Sequence, residues 1–315
     1  MRISEASQLN LKDAAQKFVN GCLIAFPTET VYGLGADALN REAVARIYEV
    51  KGRPSAHPLI IHISTHKKLD FWAKEMPDYV NHLVRDFWPG PMTLILRCKT
   101  TIDHLTGGQQ YVGLRVPAHP TALDLLHKFE DLGGHGVAAP SANRFGAVSP
   151  TSARAVVEEI GAQLDASRDL VIDGGDSVVG IESTIIDCSG EFPSILRLGA
   201  ITEEMIQKSA DLPILKKARK IRVSGALDKH YSPRTRIFLA GQPSTGDGFL
   251  ALAEVKTPPG AIRIGAPANV EQYARQLYSL FREADRLNLR ALFVVPPTGS
   301  GLADAIVDRL KRAAH

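Results

Sequence analysis

Cysteine is scarce in this chain. Cys22, Cys98 and Cys188 are three in 315 residues, far apart and without CxxC spacing. That pattern excludes a disulfide framework and a zinc knuckle, leaving three reduced core thiols as the expectation. Long apolar runs are missing as well: none approaches the ~20 residues a membrane span needs. The polar start, Met1 to Asn10, lacks the charged-then-apolar layout of a signal peptide, so a soluble cytoplasmic protein is expected. Charge of one sign is not in excess. A formal balance of +3 is too small to announce nucleic-acid binding. There is no GxxxxGK(S/T), no GxGxxG opening a helix and no GxSxG elbow, so the chain is not patterned as a P-loop NTPase, a dehydrogenase or a serine hydrolase.

What is present is an alternation of helical and strand patterns. Leu11 to Val19 reads as a helix, followed by Cys22 to Phe26 as a buried strand. Asn40 is a natural N-cap for a helix over 41–50, which Pro54 is expected to stop. Short aliphatic runs at 59–63, 92–96, 112–116, 137–139, 170–172 and 183–187 continue the series. Several follow one another with no helix between, which predicts a mixed, open α/β sheet with helices around it. Residues 216–236 hold eight Lys or Arg against one Asp, together with Gly225 and Pro233. We read 1–207 as the main domain, 208–234 as a basic linker and 235–315 as a small Rossmann-like α/β domain.

Four segments carry chemistry. Lys51 and Arg53 are cations at i and i+2 on a tight turn and can face one phosphate or oxyanion together; a basic helix end answering the helix dipole is the alternative. Pro27 to Gly35 follows a buried strand and offers Thr28, Thr30 and Glu29, with Gly33 and Gly35 read as turn glycines. Ser141, Asn143 and Ser149 lie around the start of a helix read as opening at Pro150 and can donate to phosphate oxygens; plain capping is the alternative. Arg115 ends a strand and suits a bidentate pair with a substrate carboxylate or an internal salt bridge. Glu182 and Asp173 are candidates to assist Mg²⁺, or structural carboxylates. His57, His62 and His66 lack the spacing of a metal cluster.

In order, the segments PTETVYGLGADA, KGRPSAHPLIIHI, WPGPMTLIL, GLRVPAHP, APSANRFGAVSPT, GIESTIID and LRLGAI resemble the YrdC-like family of threonylcarbamoyl-AMP synthases, over roughly Leu11 to Ala200. The added C-terminal unit and the motif His230-Tyr231-Ser232-Pro233 resemble its long, two-domain form. The resemblance implies a YrdC-like mixed, twisted sheet around a basic cleft. It also implies a reaction: L-threonine, bicarbonate and ATP, with Mg²⁺, give threonylcarbamoyl-AMP and pyrophosphate. A transferase complex then modifies the adenosine next to the anticodon of tRNA. Carried over by position, Thr30, His62, Arg115, Ala139 and Ser183 would hold L-threonine. Arg53, His57, Tyr111, Ser141, Ser149, Arg197 and Tyr231 would hold ATP, and Lys51, Arg53, Ser141 and Asn143 would form the catalytic set. Tyr111 and His57 depart from the family's commoner residues, a small hydroxyl residue and Asn. With Tyr231 inside it, the linker is expected to fold over the cleft.

Two rival readings belong to other classes. A basic cleft in this fold could hold duplex RNA or tRNA as a non-catalytic tRNA or ribosome maturation module, although basic and aromatic residues are not interleaved. Carbamoyl transfer from carbamoyl phosphate is the other, and the zinc-finger-like cysteine pairs expected for it are absent.

Overall fold

A computed structural model of the chain describes residues 1–100, 102–216, 219–225 and 229–314. Two bodies are joined by a strap, of which residues 211–216, 219–225 and 229–234 are described. The first is built on a mixed sheet of eleven strands. Its order is Ile3–Glu5, Leu170–Asp173, Ile24–Phe26, Gly33–Asp37, Val137–Ala138, Ile60–His62, Tyr111–Arg115, Met92–Cys98, Thr184–Asp187 and Ser194–Arg197, with Ala73–Lys74 also paired to Met92–Cys98. Parallel and antiparallel pairings alternate irregularly, as the helix-free strand connections predict.

Every residue of Ile24–Phe26 and of Thr184–Asp187 is buried, because helices cover both faces of the sheet. Gln8–Val19 and Pro120–Asp131 pack together on one face, with Phe18 edge-on to Phe129 at 5.4 Å. Arg41–Lys51, Tyr79–Phe87 and Ala153–Ile160 send Ile47, Leu83 and Val156 into the core on the other. Glu203–Ala210 belongs here too, since Ile206 and Ala210 join the same core. The first body therefore reaches residue 210, and a boundary at 207 would cut a helix.

The second body is a four-stranded parallel sheet in the order Arg236–Phe238, Ala291–Val294, Gly248–Leu250, Ile262–Gly265. The amphipathic helices Val270–Arg286 and Leu302–Ala313 pack against it. The two bodies share one core: Val31, Val148 and Ile181 of the first cluster with Tyr278 and Ile306 of the second. Arg282 adds an ion pair to Glu159 at 3.0 Å and Arg286 one to Glu158 at 2.9 Å.

Three local expectations are corrected. Gly33 and Gly35 lie in a strand, not in turns. A Cβ on Gly35 would sit 2.7 Å from both the Phe26 ring and Val137, so this glycine serves close packing. The helix Arg41–Lys51 is ended by Gly52 in the left-handed conformation (φ 59°), ahead of Pro54. The helix after residue 150 is capped by the Ser152 hydroxyl and begins at Ala153, which frees Ser149 for another role.

Candidate active site

The ends of several strands and the loops after them converge on one pocket. His62 and Arg115 face each other across the parallel pair Ile60–His62 and Tyr111–Arg115. Ala139 and Ser141 follow Val137–Ala138, Ser183 precedes Thr184–Asp187, and Arg197 ends Ser194–Arg197. Thr30 comes from the loop after Ile24–Phe26, its hydroxyl 2.8 Å from that of Thr28. All five residues implied for L-threonine line this pocket, as do Ser141, Arg197 and Tyr231 from the set implied for ATP.

The remaining candidates lie elsewhere. Arg53 is buried and is not among the residues lining this pocket; Nη2 donates to Pro58 O at 2.9 Å, and the guanidinium lies over the Phe145 ring at 5.6 Å. Its Nε is buried without a hydrogen-bond partner, which leaves one donor unsatisfied. His57 stands edge-on to Phe145 at 5.0 Å. Tyr111 faces a separate groove, beside Ile221 and Val223 of the strap.

Lys51 is not a free cation. Its ammonium donates to Ser141 O at 2.6 Å and to Asn143 O at 2.5 Å. Burial, and then the charge of Arg53, push its pKa well below the ordinary lysine value. Lys51 therefore braces the loop that carries Ser141, while Asn143 Nδ2 closes the same loop onto Arg144 O and Ala147 O. Arg115 is paired with Glu29 at 2.7 Å, so a ligand carboxylate has to share the guanidinium.

Ser149 donates to Glu182 Oε1 at 2.7 Å. Glu182 Oε2 accepts from Tyr278 at 2.9 Å and from Arg309 Nε at 2.9 Å. Burial raises the pKa of Glu182, but Arg309, Arg197 and the Ser149 hydroxyl outweigh it and hold the carboxyl at about 2. With both oxygens taken, Glu182 does not fit a magnesium ligand. Among the described residues no group of three or more His, Cys, Asp or Glu side chains could hold a metal ion.

The strap closes the pocket. Arg197 Nη1 donates to Ser224 O at 2.9 Å, and Nε and Nη2 donate to Ser183 O. His230 and Tyr231 line the pocket directly. Tyr231 is in the left-handed region (φ 59°), a conformation bulky residues avoid unless their surroundings impose it. Ser232 N–H, which donates to Gly146 O at 3.0 Å, and the stack of Tyr231 on Tyr278 at 5.8 Å impose it. With the strap down, the cavity is about 40 Å³. Pockets for drug-sized ligands are nearer 300–1,000 Å³, so the cavity is small with the strap in this position.

His62 and His230 are both neutral: burial, with Arg115 beside His62, brings each to about 3. An unfolded chain takes up these protons below pH ~6.5, whereas the folded one resists until about 3, so stability rises with pH across that window. We expect full stability above pH ~6.5 and a loss of about 2 kcal/mol per histidine by pH 5. Denaturant unfolding at pH 7 and pH 5 checks this; equal stabilities would contradict buried, neutral imidazoles.

Fold and pocket together define a two-body α/β protein with a polar, cation-lined cleft closed by an interdomain strap. The Sua5/YciO/YrdC family profile, described as "Telomere recombination", matches residues 16–199. "Threonylcarbamoyl-AMP synthase, C-terminal domain" matches residues 201–315. The threonylcarbamoyl-AMP synthase of Pyrococcus abyssi (strain GE5 / Orsay) is 35% identical, over 96% of this chain and 94% of its own. That of Bacillus subtilis (strain 168) is 35% identical, over 93% and 89%. The crystal structure of P. abyssi Sua5 complexed with L-threonine superposes with a TM-score of 0.88 at 33% identity, covering 100% of this chain and 98% of that one. The chain belongs to the Sua5/YciO/YrdC family, in its two-domain form.

Sequence reasoning missed the residues that reach the pocket's wall from the second body. Arg309 lies on the apolar stripe of Leu302–Ala313, three residues after Ile306, and is fully buried. A charge inside an apolar stripe is the available signal, and it points to a buried ion pair.

Proposed function

We infer that this chain is a threonylcarbamoyl-AMP synthase, making the activated group used for N6-threonylcarbamoyladenosine in tRNA. The observation that carries this reading is the convergence of Thr30, His62, Arg115, Ala139 and Ser183 with Arg197 and Tyr231 on one closed pocket. We propose that the threonine amine bonds to the carbon of CO₂ drawn from bicarbonate and loses a proton, giving a carbamate. A carbamate oxygen then bonds to the α-phosphorus of ATP as the bond to pyrophosphate breaks, which is nucleotidyl transfer. No covalent enzyme intermediate is needed; orientation and charge neutralisation are the protein's part.

In this reading Arg115 and Thr30 orient the amino acid, and Ser141, Arg53 and Arg197 face the phosphates. Lys51 and Asn143 hold the Ser141 loop. Mg²⁺ arrives on the nucleotide and neutralises the triphosphate. The closed strap keeps water from the labile mixed anhydride until a transferase complex acting on tRNA receives it. Buried cations also argue against an RNA-binding module: Lys51, Arg53, Arg115 and Arg197 are 2%, 7%, 4% and 8% exposed, out of reach of a duplex backbone. A cytoplasmic location fits this role.

The test is incubation with ATP, Mg²⁺, bicarbonate and L-threonine, following pyrophosphate and the adenylate. Product that depends on both threonine and bicarbonate supports the reading; pyrophosphate release indifferent to threonine overturns it. Arg53→Ala is expected to remove a charge-assisted contact of about 1.5–3 kcal/mol, a ~10- to 150-fold loss in kcat/KM for ATP. An unchanged kcat/KM would remove Arg53 from the site.

A further inference from the structure

The second body meets the pocket's lining through a buried cation, Arg309, and through Tyr278. Arg309 is fully buried, with Nε on Glu182, Nη2 on Leu198 O at 2.8 Å and Nη1 on Asp308 at 2.7 Å. Its guanidinium also lies over the Tyr231 ring at 5.2 Å, and Tyr278 stacks on that same ring while donating to the same Glu182 oxygen. Glu182 and Tyr231 both line the pocket. A buried ion pair is weak evidence for stability, because desolvation offsets the attraction and an apolar replacement of both partners is often neutral. What the pair does provide is geometry: two parts of the pocket lining, Glu182 of the first body and Tyr231 of the strap, share a single anchor.

We propose that Arg309, assisted by Tyr278, is a positioning residue of the active site, setting the Glu182–Ser149 wall and the Tyr231 strap together so that the C-terminal body controls how the ATP phosphates are held. The proposal rests on the synthase reading for the identity of the ligand, and not for the coupling itself. Arg309 touches no reacting atom; it acts through Glu182 and Tyr231. The groups facing Glu182 are Arg309 from Leu302–Ala313, itself paired with Asp308, Tyr278 from Val270–Arg286, Tyr231 and the neutral His230 from the strap, and Arg197 from the first body. Removing Arg309 leaves a buried carboxyl with Arg197 as its remaining named cation, so the pKa of Glu182 should rise.

Arg309→Met, Arg309→Lys, Tyr278→Phe and the double variant Arg309→Met with Glu182→Gln are compared with the full-length wild type from pH 5.5 to 8.5. Two readouts are used: pyrophosphate release, expressed as the ratio to wild type at each pH, and the rate of trypsin cleavage in the basic strap without substrates. Misplacing the pocket wall is expected to lower kcat/KM for ATP in Arg309→Met by roughly 10- to 100-fold. Its ratio should climb with pH, Glu182→Gln should abolish that climb, and Arg309→Lys should recover part of the activity. Strap cleavage should accelerate about tenfold as closure weakens. A folded Arg309→Met with the wild-type pH profile and cleavage rate overturns the proposal. So does an equal loss in the single and double variants with no pH climb, which is the mark of a purely structural role. Should Arg309→Met not fold, Tyr278→Phe and the charge-free double variant carry the same test. If the wild type shows no threonine-dependent turnover, the synthase reading fails, while the cleavage rates still decide the coupling.

Discussion

Arg197→Met is expected to lower kcat/KM for ATP by about 10²–10³-fold, the scale seen when a buried, preorganised donor to developing charge is lost. Arg197 holds two structures at once. Nε and Nη2 grip Ser183 O at 3.0 and 2.9 Å, Nη2 reaches Ser183 Oγ at 3.1 Å, and Nη1 reaches Ser224 O in the strap. Ser183 is in turn tied to Thr93 at 2.8 Å, so the loop that carries it is positioned by the arginine from one side and by the sheet from the other. Methionine fills similar volume but leaves two buried carbonyls without their donor and removes the cation. Lysine restores the charge but not the fork, and should recover only part of the loss. Steady-state pyrophosphate release on the three proteins, with unfolding curves beside it, makes the comparison. Activity within threefold of wild type in a folded Arg197→Met protein would remove Arg197 from the phosphate site.

The second large effect is expected from Gly225→Val. Gly225 sits at φ +83°, where a β-branched side chain is strained, and a Cβ there would lie 2.3 Å from Tyr231 Oη and 3.1 Å from Arg197 Nη1. Neither neighbour can retreat easily. Tyr231 is 1% exposed and held between Arg309 and Tyr278, and Arg197 is fixed by Ser183. The strap should therefore lift rather than adjust. A penalty of about 2–3 kcal/mol on the closed state shifts its ratio to the open state by roughly 30- to 150-fold. ATP binding should weaken, and any adenylate formed should be lost to water faster than from the wild type. Trapping the adenylate by rapid chromatography measures this directly. A variant that retains product as the wild type does would show that strap closure does not depend on this contact.

Much of the fold was legible because burial leaves a periodic trace. The helices Arg41–Lys51, Val270–Arg286 and Leu302–Ala313 were readable from apolar spacing and end signals such as Asn40. Strands buried on both faces, such as Thr184–Asp187, stood out as aliphatic runs. Among the strands not foreseen, Ile3–Glu5 and Ile262–Gly265 are short and mostly exposed or half-buried, so no alternation marks them, and the two glycines of the buried Gly33–Asp37 read as turn residues. They exist because a neighbour offers a hydrogen-bonding edge, a long-range fact that local composition does not carry.

For the site, the ordered motifs named the residues, and their types indicated polar and anionic ligands. They could not say how each group would be used. Lys51 looks like a phosphate cation in sequence, and the fold turns it onto Ser141 O and Asn143 O. Ser149 looks like a helix cap, and the fold gives the cap to Ser152 and Ser149 to Glu182. By itself, the sequence determined the α/β class, the two bodies with a basic connection, the family motifs and the chemistry on offer, because these depend on residue types at short separations. The tertiary structure alone decided which cations are already engaged by protein carbonyls and carboxylates, that the described part of the strap lies over the pocket, and that Arg309 reaches Glu182 across 127 positions. Those outcomes are set by desolvation and by competition among donors and acceptors from distant segments, and neither exists until the chain is folded.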